Sequence, residues 1–334
     1  MTDYLLTAAL LTLLFLVVII TRNSDSSKAT FFSKKYTTAL KGVCSIVVIF
    51  IHIPDAYQNP LQENVGRFAY IAVTLFFMIS AYGMQLGLRK PCYLKHFWRN
   101  RLSSLLIPCL VVNLTWFCFS VGTTGSPEWL SLLSINDYVK QLIGYCAIFY
   151  IVYRLEQGGG YTDRQEYILC LLVFIGSIIL YFIDFGWQVP SLGLIYGLLL
   201  ARHKNQFINF LGNRLVIKII TSSLLSVILG LIYMKYKSIA FFGDFVIRAF
   251  LGIAIILLLF HLTVKLKTGN KISAFLGKIS FEIYLSHPFV MMALQSGQWN
   301  LAPGEFLMLT IAITIAISAI LHSVSQTIVD RIRI

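Results

Sequence analysis

Long apolar runs alternate with short polar segments along this 334-residue chain. The runs cover 3–21, 40–56, 66–88, 104–121, 138–153, 166–183, 189–201, 215–234, 242–264, 279–297 and 305–325. Most approach the roughly 20 residues that a helix needs to cross a bilayer. In hydrocarbon, a helix satisfies its own backbone polar groups. The pattern therefore predicts an all-α fold, a polytopic transmembrane bundle of about eleven helices. The 189–201 run is short for a crossing and is expected to be tilted, broken or shielded by its neighbours. No internal repeat, heptad or low-complexity segment interrupts the pattern, and Gly158-Gly159-Gly160 reads as a flexible turn. The polar stretches, about 16–20 residues at most, are too short to fold separately, so one membrane domain is expected. The first run has no basic segment before it and no small-residue cleavage site after it, which reads as a retained helix rather than a signal peptide.

Composition supports the same solvent. Hydrophobic residues make up 57% of the chain and charged residues 12%, with a mean hydropathy of +0.78. A soluble domain carries about 25% charge, so this chain cannot build a soluble surface. The net charge of +13 would raise nucleic acid as a partner for a soluble protein. In a membrane protein it reads instead as cytoplasmic loop charge, and no nucleic-acid partner is expected. With the N-terminus outside, 22 of the 27 Lys and Arg fall in inside loops, leaving Arg67, Lys140, Lys235, Lys237 and Arg248 outside. That bias fits eleven spans with the C-terminus in the cytoplasm. The six cysteines form no CxxC pair and most sit in apolar runs, as small buried hydrophobes rather than disulfides or metal ligands.

Ionisable groups inside hydrocarbon are costly, and each is a candidate for function. His52 lies late in the second run, and Asp55 follows about one helical turn later, where a carboxylate would orient the imidazole for general-base work. The alternative is an interfacial histidine bonded to a neighbouring helix. Lys95, His96, Arg99 and Arg101 cluster before Pro108, and Arg forks suit phosphate. Ordinary positive-inside charge would look the same. The segment Gly277 to Pro288 places Glu282, Tyr284 and His287 in one apolar run. Tyr284 and His287 can share a helix face, whereas Glu282 and His287, five apart, cannot. A structural network between helices is the competing account. His96, His203, His261 and His322 lie in inside loops or near inside helix ends and read as interfacial. No HExxH, GxSxG, Walker or GxGxxG pattern is present, so metalloprotease, serine hydrolase and P-loop readings lack support, and no metal site is expected.

Three ordered blocks resemble the bacterial acyltransferase-3 family of polytopic glycan O-acyltransferases. They are Lys41-Gly42 with His52 eleven residues on, Leu75-Phe76-Phe77-Met78-Ile79-Ser80 with the basic cluster ending at Pro108, and Gly277-Lys278-Ile279-Ser280 through Tyr284-Leu285-Ser286-His287-Pro288. The chain departs from the family pattern at four places: Lys41 stands for Arg, Thr74 for Asp, Ala81 for Gly, and Leu105 for the Arg three residues before the proline. The resemblance implies a ten-helix core at 40–334 and an added N-terminal helix with basic linker at 1–39. It implies acetyl-CoA as donor substrate rather than a tightly bound cofactor, its phosphates meeting Lys41, Arg99 and Arg101. His52 would act on the acceptor hydroxyl or relay the acyl group, roughly 16 Å along the helix from Lys41. With Thr74 in the aspartate's place, Asp55 or Glu282 would partner His52. The implied partners are a glycan or lipid-linked sugar acceptor, acyl-CoA and membrane lipid, in a bacterial inner membrane. A transporter or flippase of glycan intermediates, or a catalytically degenerate scaffold of a glycan-synthesis complex, are the rival roles.

Overall fold

A polar residue sits where several apolar runs must begin. Ser33 caps the helix of the second run, Lys34–Ile49, its hydroxyl accepting from the Tyr36 amide at 3.3 Å. The N-terminal helix Thr2–Ile19 is α1, and the Ser33-capped helix is α2. Asn59 opens α3, Pro60–Phe68, through a reciprocal capping box with Gln62 and a proline at the first helical position. Asn270 does the same for α11, Lys271–Lys278, with Ser273. The remaining helices are α4 (Tyr70–Gly87), α5 (Phe97–Thr124), α6 (Asp137–Leu155), α7 (Asp163–Phe182), α8 (Gly193–Gly212), α9 (Leu215–Tyr236), α10 (Arg248–Thr263), α12 (Ser280–Ser296) and α13 (Pro303–Arg333). This computed structural model describes residues 2–19, 31–124, 129–155, 163–264, 269–297 and 299–333, and among them there is no strand. Arg22, Lys28, Gly158–Gly160, Lys265 and Lys267 lie outside the described residues.

Each of the eleven apolar runs overlaps at least one described helix. By length and apolarity, seven described segments can cross a membrane: 34–52, 60–87, 94–122, 164–182, 215–236, 242–263 and 303–333. The runs at 138–153, 189–201 and 279–297 form α6, α8 and α12, whose polar side chains lower their hydropathy. In α12, Ser280, Glu282, Ser286 and His287 are all buried in protein. The 189–201 run proves to be a short helical turn, Gln188–Ser191, followed by α8, which kinks at His203 (φ −100°, ψ 23°). His203 therefore lies within a helix rather than in the loop expected from the sequence. The 40–56 run also shifts: α2 begins at Lys34, and the chain leaves helical geometry at Ile53 and Pro54.

Small residues set two of the tightest helix contacts, as expected where lipid supplies no hydrophobic drive between helices. A Cβ on Gly193 or Gly197 of α8 would lie 2.2 Å from the Thr74 or Met78 carbonyl oxygen of α4. A Cβ on Gly277 of α11 would lie 1.9 Å from the Thr38 carbonyl oxygen of α2, and one on Gly42 would lie 2.7 Å from the Gly277 nitrogen. The interior is aromatic, with Phe77, Phe97, Phe149 and Phe260 buried. The outside is aliphatic. α9 exposes Val216, Ile217, Ile220, Leu224, Val227, Ile228 and Leu231 and buries only Ser222, which bonds His261 of α10 at 3.2 Å. Such a helix is stable only with lipid against it. The protein is a multi-pass membrane protein.

α1 is docked on the bundle. Its Thr7 hydroxyl accepts from the Asn59 amide at 3.3 Å and the Gln62 amide at 3.2 Å, and Asp3 accepts from the Gly304 amide at 3.3 Å. Cys44, Cys109 and Cys146 are buried free thiols, but Cys92 and Cys118 are exposed.

Candidate active site

His52 ends the single turn of tighter helix, Phe50–His52, that extends α2. His287 lies in the interior of α12 and is 1% exposed, while His52 is exposed. The Nδ1 atom of His52 stands 3.0 Å from Nε2 of His287 and 3.3 Å from the Val48 carbonyl oxygen. The Nδ1 atom of His287 stands 3.1 Å from the Ile283 carbonyl oxygen. A carbonyl only accepts, so His287 carries its proton on Nδ1 and offers a lone pair at Nε2. His52 must then donate from Nδ1, which leaves its Nε2 lone pair free. Two backbone carbonyls thus fix the tautomers of both rings. The Trp187 ring stands edge-to-face with that of His52, the ring centres 6.4 Å apart.

This arrangement replaces the expected pairing with Asp55. Pro54 forces extended backbone before Asp55, which sits exposed on a separate turn, Asp55–Tyr57, so the two side chains do not share a helix face. Glu282 is not the partner of His52 either. Its Oε1 bonds Nδ1 of His322 in α13 at 3.0 Å, and its carboxylate interacts electrostatically with Lys41. Among the described residues its Oε2 is buried without a hydrogen bond. From the sequence, His322 reads as an interfacial residue near an inside helix end. The signal was present, since α13 continues as a helix past it to Arg333 and puts an imidazole in a spanning segment.

A cavity of about 320 Å³ gathers six of the anticipated residues: Lys41, Phe76, Ser80, Arg101, Ser280 and Tyr284. Lys41 was expected at the end of its span. It lies two turns inside α2 because Lys34 and Lys35 belong to the helix too. Ser280 donates to the Gly277 carbonyl at 3.0 Å. Tyr284 donates to Asn136 at 3.0 Å, and its ring lies 6.0 Å from that of His287. Phe76 faces the cavity within 6.5 Å of Tyr284, whereas Phe77 turns into the core against Tyr138 at 4.7 Å. Arg99 is exposed and does not line this cavity, because residues two apart on a helix do not face the same way. The four departures from the family pattern are local. Thr74 is buried and donates to the Tyr70 carbonyl at 3.1 Å. Leu105 lines the cavity one turn beyond Arg101 on the same face of α5.

A second cavity, about 680 Å³, shares Ile79, Gly83, Arg101 and Ser104 with the first and opens at the Lys34 end of α2. Lys34, Lys90, Lys204 and Arg333 join Arg101 around it. None of the four was singled out from the sequence, where each is one loop charge among many. Lys204 is half-buried there, and desolvation pulls its ammonium below the ordinary lysine range.

No curated protein and no solved structure matches the chain. The model of the acyltransferase-3 family, described as an acyltransferase domain, matches residues 34–323, from the first turn of α2 to the residue after His322 in α13. The match takes in the histidine pair and the first cavity whole, and the chain belongs to the acyltransferase-3 family.

Proposed function

We propose that this protein moves an acyl group, acetyl in the simplest case, from cytoplasmic acetyl-CoA to a hydroxyl of a cell-surface glycan or its lipid-linked precursor, in a bacterial inner membrane. The observation that carries this reading is the junction of the Lys41–Arg101–Tyr284 cavity with the His52–His287 pair, one turn farther along α12. The Lys34 end of α2 faces the cytoplasm and the His52 end the exterior, following the Lys and Arg bias, with the N-terminus outside. The donor thioester enters the first cavity from the Arg101 side. His52 Nε2 removes the acceptor's hydroxyl proton as its oxygen attacks the acyl carbon. The C–O bond forms, the C–S bond breaks, and the His52 imidazolium returns its proton to the departing thiolate. His287 accepts the Nδ1–H bond of His52 throughout and steadies the cation. No tightly bound cofactor or metal takes part in these steps.

The test is the O-acetyl content of surface glycan, read by NMR, in cells carrying wild type, His52→Ala or no protein at matched membrane expression. An O-acetyl signal that appears with wild type and vanishes with His52→Ala supports the reading. Acetylation that survives His52→Ala removes His52 from the chemistry. Glycan abundance that follows the protein without any acetylation replaces the transferase with a carrier.

A further inference from the structure

The bend between α7 and α8 brings one aromatic side chain to the histidine pair and holds it there. α7 ends in a Schellman turn, with the Phe185 amide donating to the Leu180 carbonyl at 3.0 Å and the Asp184 amide to the Tyr181 carbonyl at 3.2 Å. Asp184 takes the left-handed position of that turn at φ 47°, and Gly186 turns left-handed again at φ 64°. A Cβ on Gly186 would lie 2.9 Å from Oε1 of Gln141. That close approach lets one buried side-chain amide clamp the next residue. Gln141 Oε1 accepts from the Trp187 amide at 2.8 Å, and its Nε2 donates to the Trp187 carbonyl at 3.2 Å. The Ser191 amide donates to the same carbonyl at 3.0 Å.

The indole is fixed as well as its backbone. Its Nε1–H donates to the hydroxyl of Tyr284, a wall residue of the Lys41–Arg101 cavity. Trp187 does not line that cavity itself; its ring stands at 79° to that of His52. It packs on the core yet is only half-buried, and His52 beside it is exposed. A tryptophan serving the core alone would be covered, as Phe77 and Phe149 are. Here a rigid, half-open indole stands beside the imidazole whose Nε2 lone pair is free. The face of an indole is electron-rich and attracts polarised C–H bonds. A pyranose ring presents a flat patch of such bonds, with its hydroxyls around the rim. An indole therefore grips the ring and leaves a hydroxyl free for the base. A flexible acyl arm has no flat face to offer it.

We propose that Trp187 is a binding residue for the acceptor, stacking a pyranose ring so that one of its hydroxyls meets Nε2 of His52. This deepens the transferase reading and rests on it for the identity of the acceptor.

The test uses the purified full chain in phosphatidylcholine nanodiscs, with the methyl pyranosides of glucose, galactose and rhamnose as probes. Saturation-transfer NMR, with irradiation of the protein's aromatic protons, reads which probe protons touch a ring. Wild type is expected to saturate the ring C–H protons of at least one pyranoside and not those of sorbitol, which has the hydroxyls without the flat face. Trp187→Leu keeps apolar bulk and should weaken that binding about tenfold, as loss of an aromatic contact does. Trp187→Phe should weaken it about threefold, and carries the test if Trp187→Leu does not fold. Equal binding by wild type and the folded variant, or no saturation in wild type, overturns the proposal. Acetyl transfer from acetyl-CoA to surface glycan is measured on the same nanodiscs. Transfer without pyranoside saturation overturns the role of Trp187 and leaves the transferase standing. Trp187-dependent saturation without transfer fails the transferase reading and leaves the sugar site standing.

Discussion

The Nδ1 atom of His52 and the Nε2 atom of His287 lie 3.0 Å apart, on helices that begin at residues 34 and 280. In many base-assisted transfers a carboxylate orients the working imidazole; in the proposed mechanism a second imidazole takes that place, with the Ile283 carbonyl 3.1 Å from its Nδ1. Removing His287 leaves His52 held by the Val48 carbonyl alone, without the imidazole that accepts its Nδ1–H at 3.0 Å. His287→Ala should lower kcat by about a hundredfold with little change in donor KM, and His52→Ala should lower it further, to background. Steady-state kinetics with purified enzyme separates these outcomes. Equal kcat for wild type and His287→Ala would make the pair structural.

Glu282 and His322 form a second polar pair, with side-chain exposures of 4% and 28%. Loss of one partner strands the other in an apolar interior. His322→Ala should destabilise the protein by about 3 kcal/mol, and Glu282→Ala by a similar amount. The double substitution should cost less than the sum of the two. Thermal unfolding in one detergent, as a double-mutant cycle, measures the coupling. Additive effects would place the two side chains in separate environments.

Glycines divide by what surrounds them. Gly277→Ala and Gly197→Ala each drive a methyl group into backbone of a neighbouring helix, α2 or α4, and should abolish recovery of folded protein. Gly230→Ala on α9 meets nothing within 4 Å and should leave yield and melting temperature unchanged. Size-exclusion profiles of the three variants decide it, and a well-folded Gly277→Ala would show that α2 and α11 can separate.

Tyr284 ties the first cavity to Asn136 through its hydroxyl. Tyr284→Phe keeps the ring and loses the phenol's hydrogen bonds to Asn136 and Trp187, a cost of about 1–2 kcal/mol in stability. If the phenol does no chemistry, kcat stays within about threefold of wild type, and a loss of a hundredfold would give Tyr284 a part in proton transfer.

The helices were legible because hydrocarbon imposes one rule on every apolar run, and each run became a helix. Boundaries were less so. The charges of Lys34 and Lys35 read as loop, yet the Ser33 cap starts the helix before them, which moves Lys41 inward. Asp55 was misplaced because helical spacing was carried through Pro54, where the backbone cannot follow. The His52–His287 contact joins residues 235 positions apart, and spacing alone cannot show which helices meet. The same limit hid His322 and the cations at 34, 90, 204 and 333, which matter only through where the bundle brings them.

The approach of Gly42 to Gly277 also bears on how the chain is made. Lys41, next to Gly42, lines the first cavity, and its helix packs on α4 early but meets its tightest neighbour only when α11 arrives. A ribosome delivers α2 first and α11 only after most of the chain has been inserted. Through that interval α2 waits in the bilayer with the Lys41 cavity lacking its Ser280–Tyr284 wall and His52 lacking its partner ring. Contacts so distant in sequence close late. A truncated product stopping before α11 is therefore an unfinished intermediate for quality control to remove, not a slow enzyme.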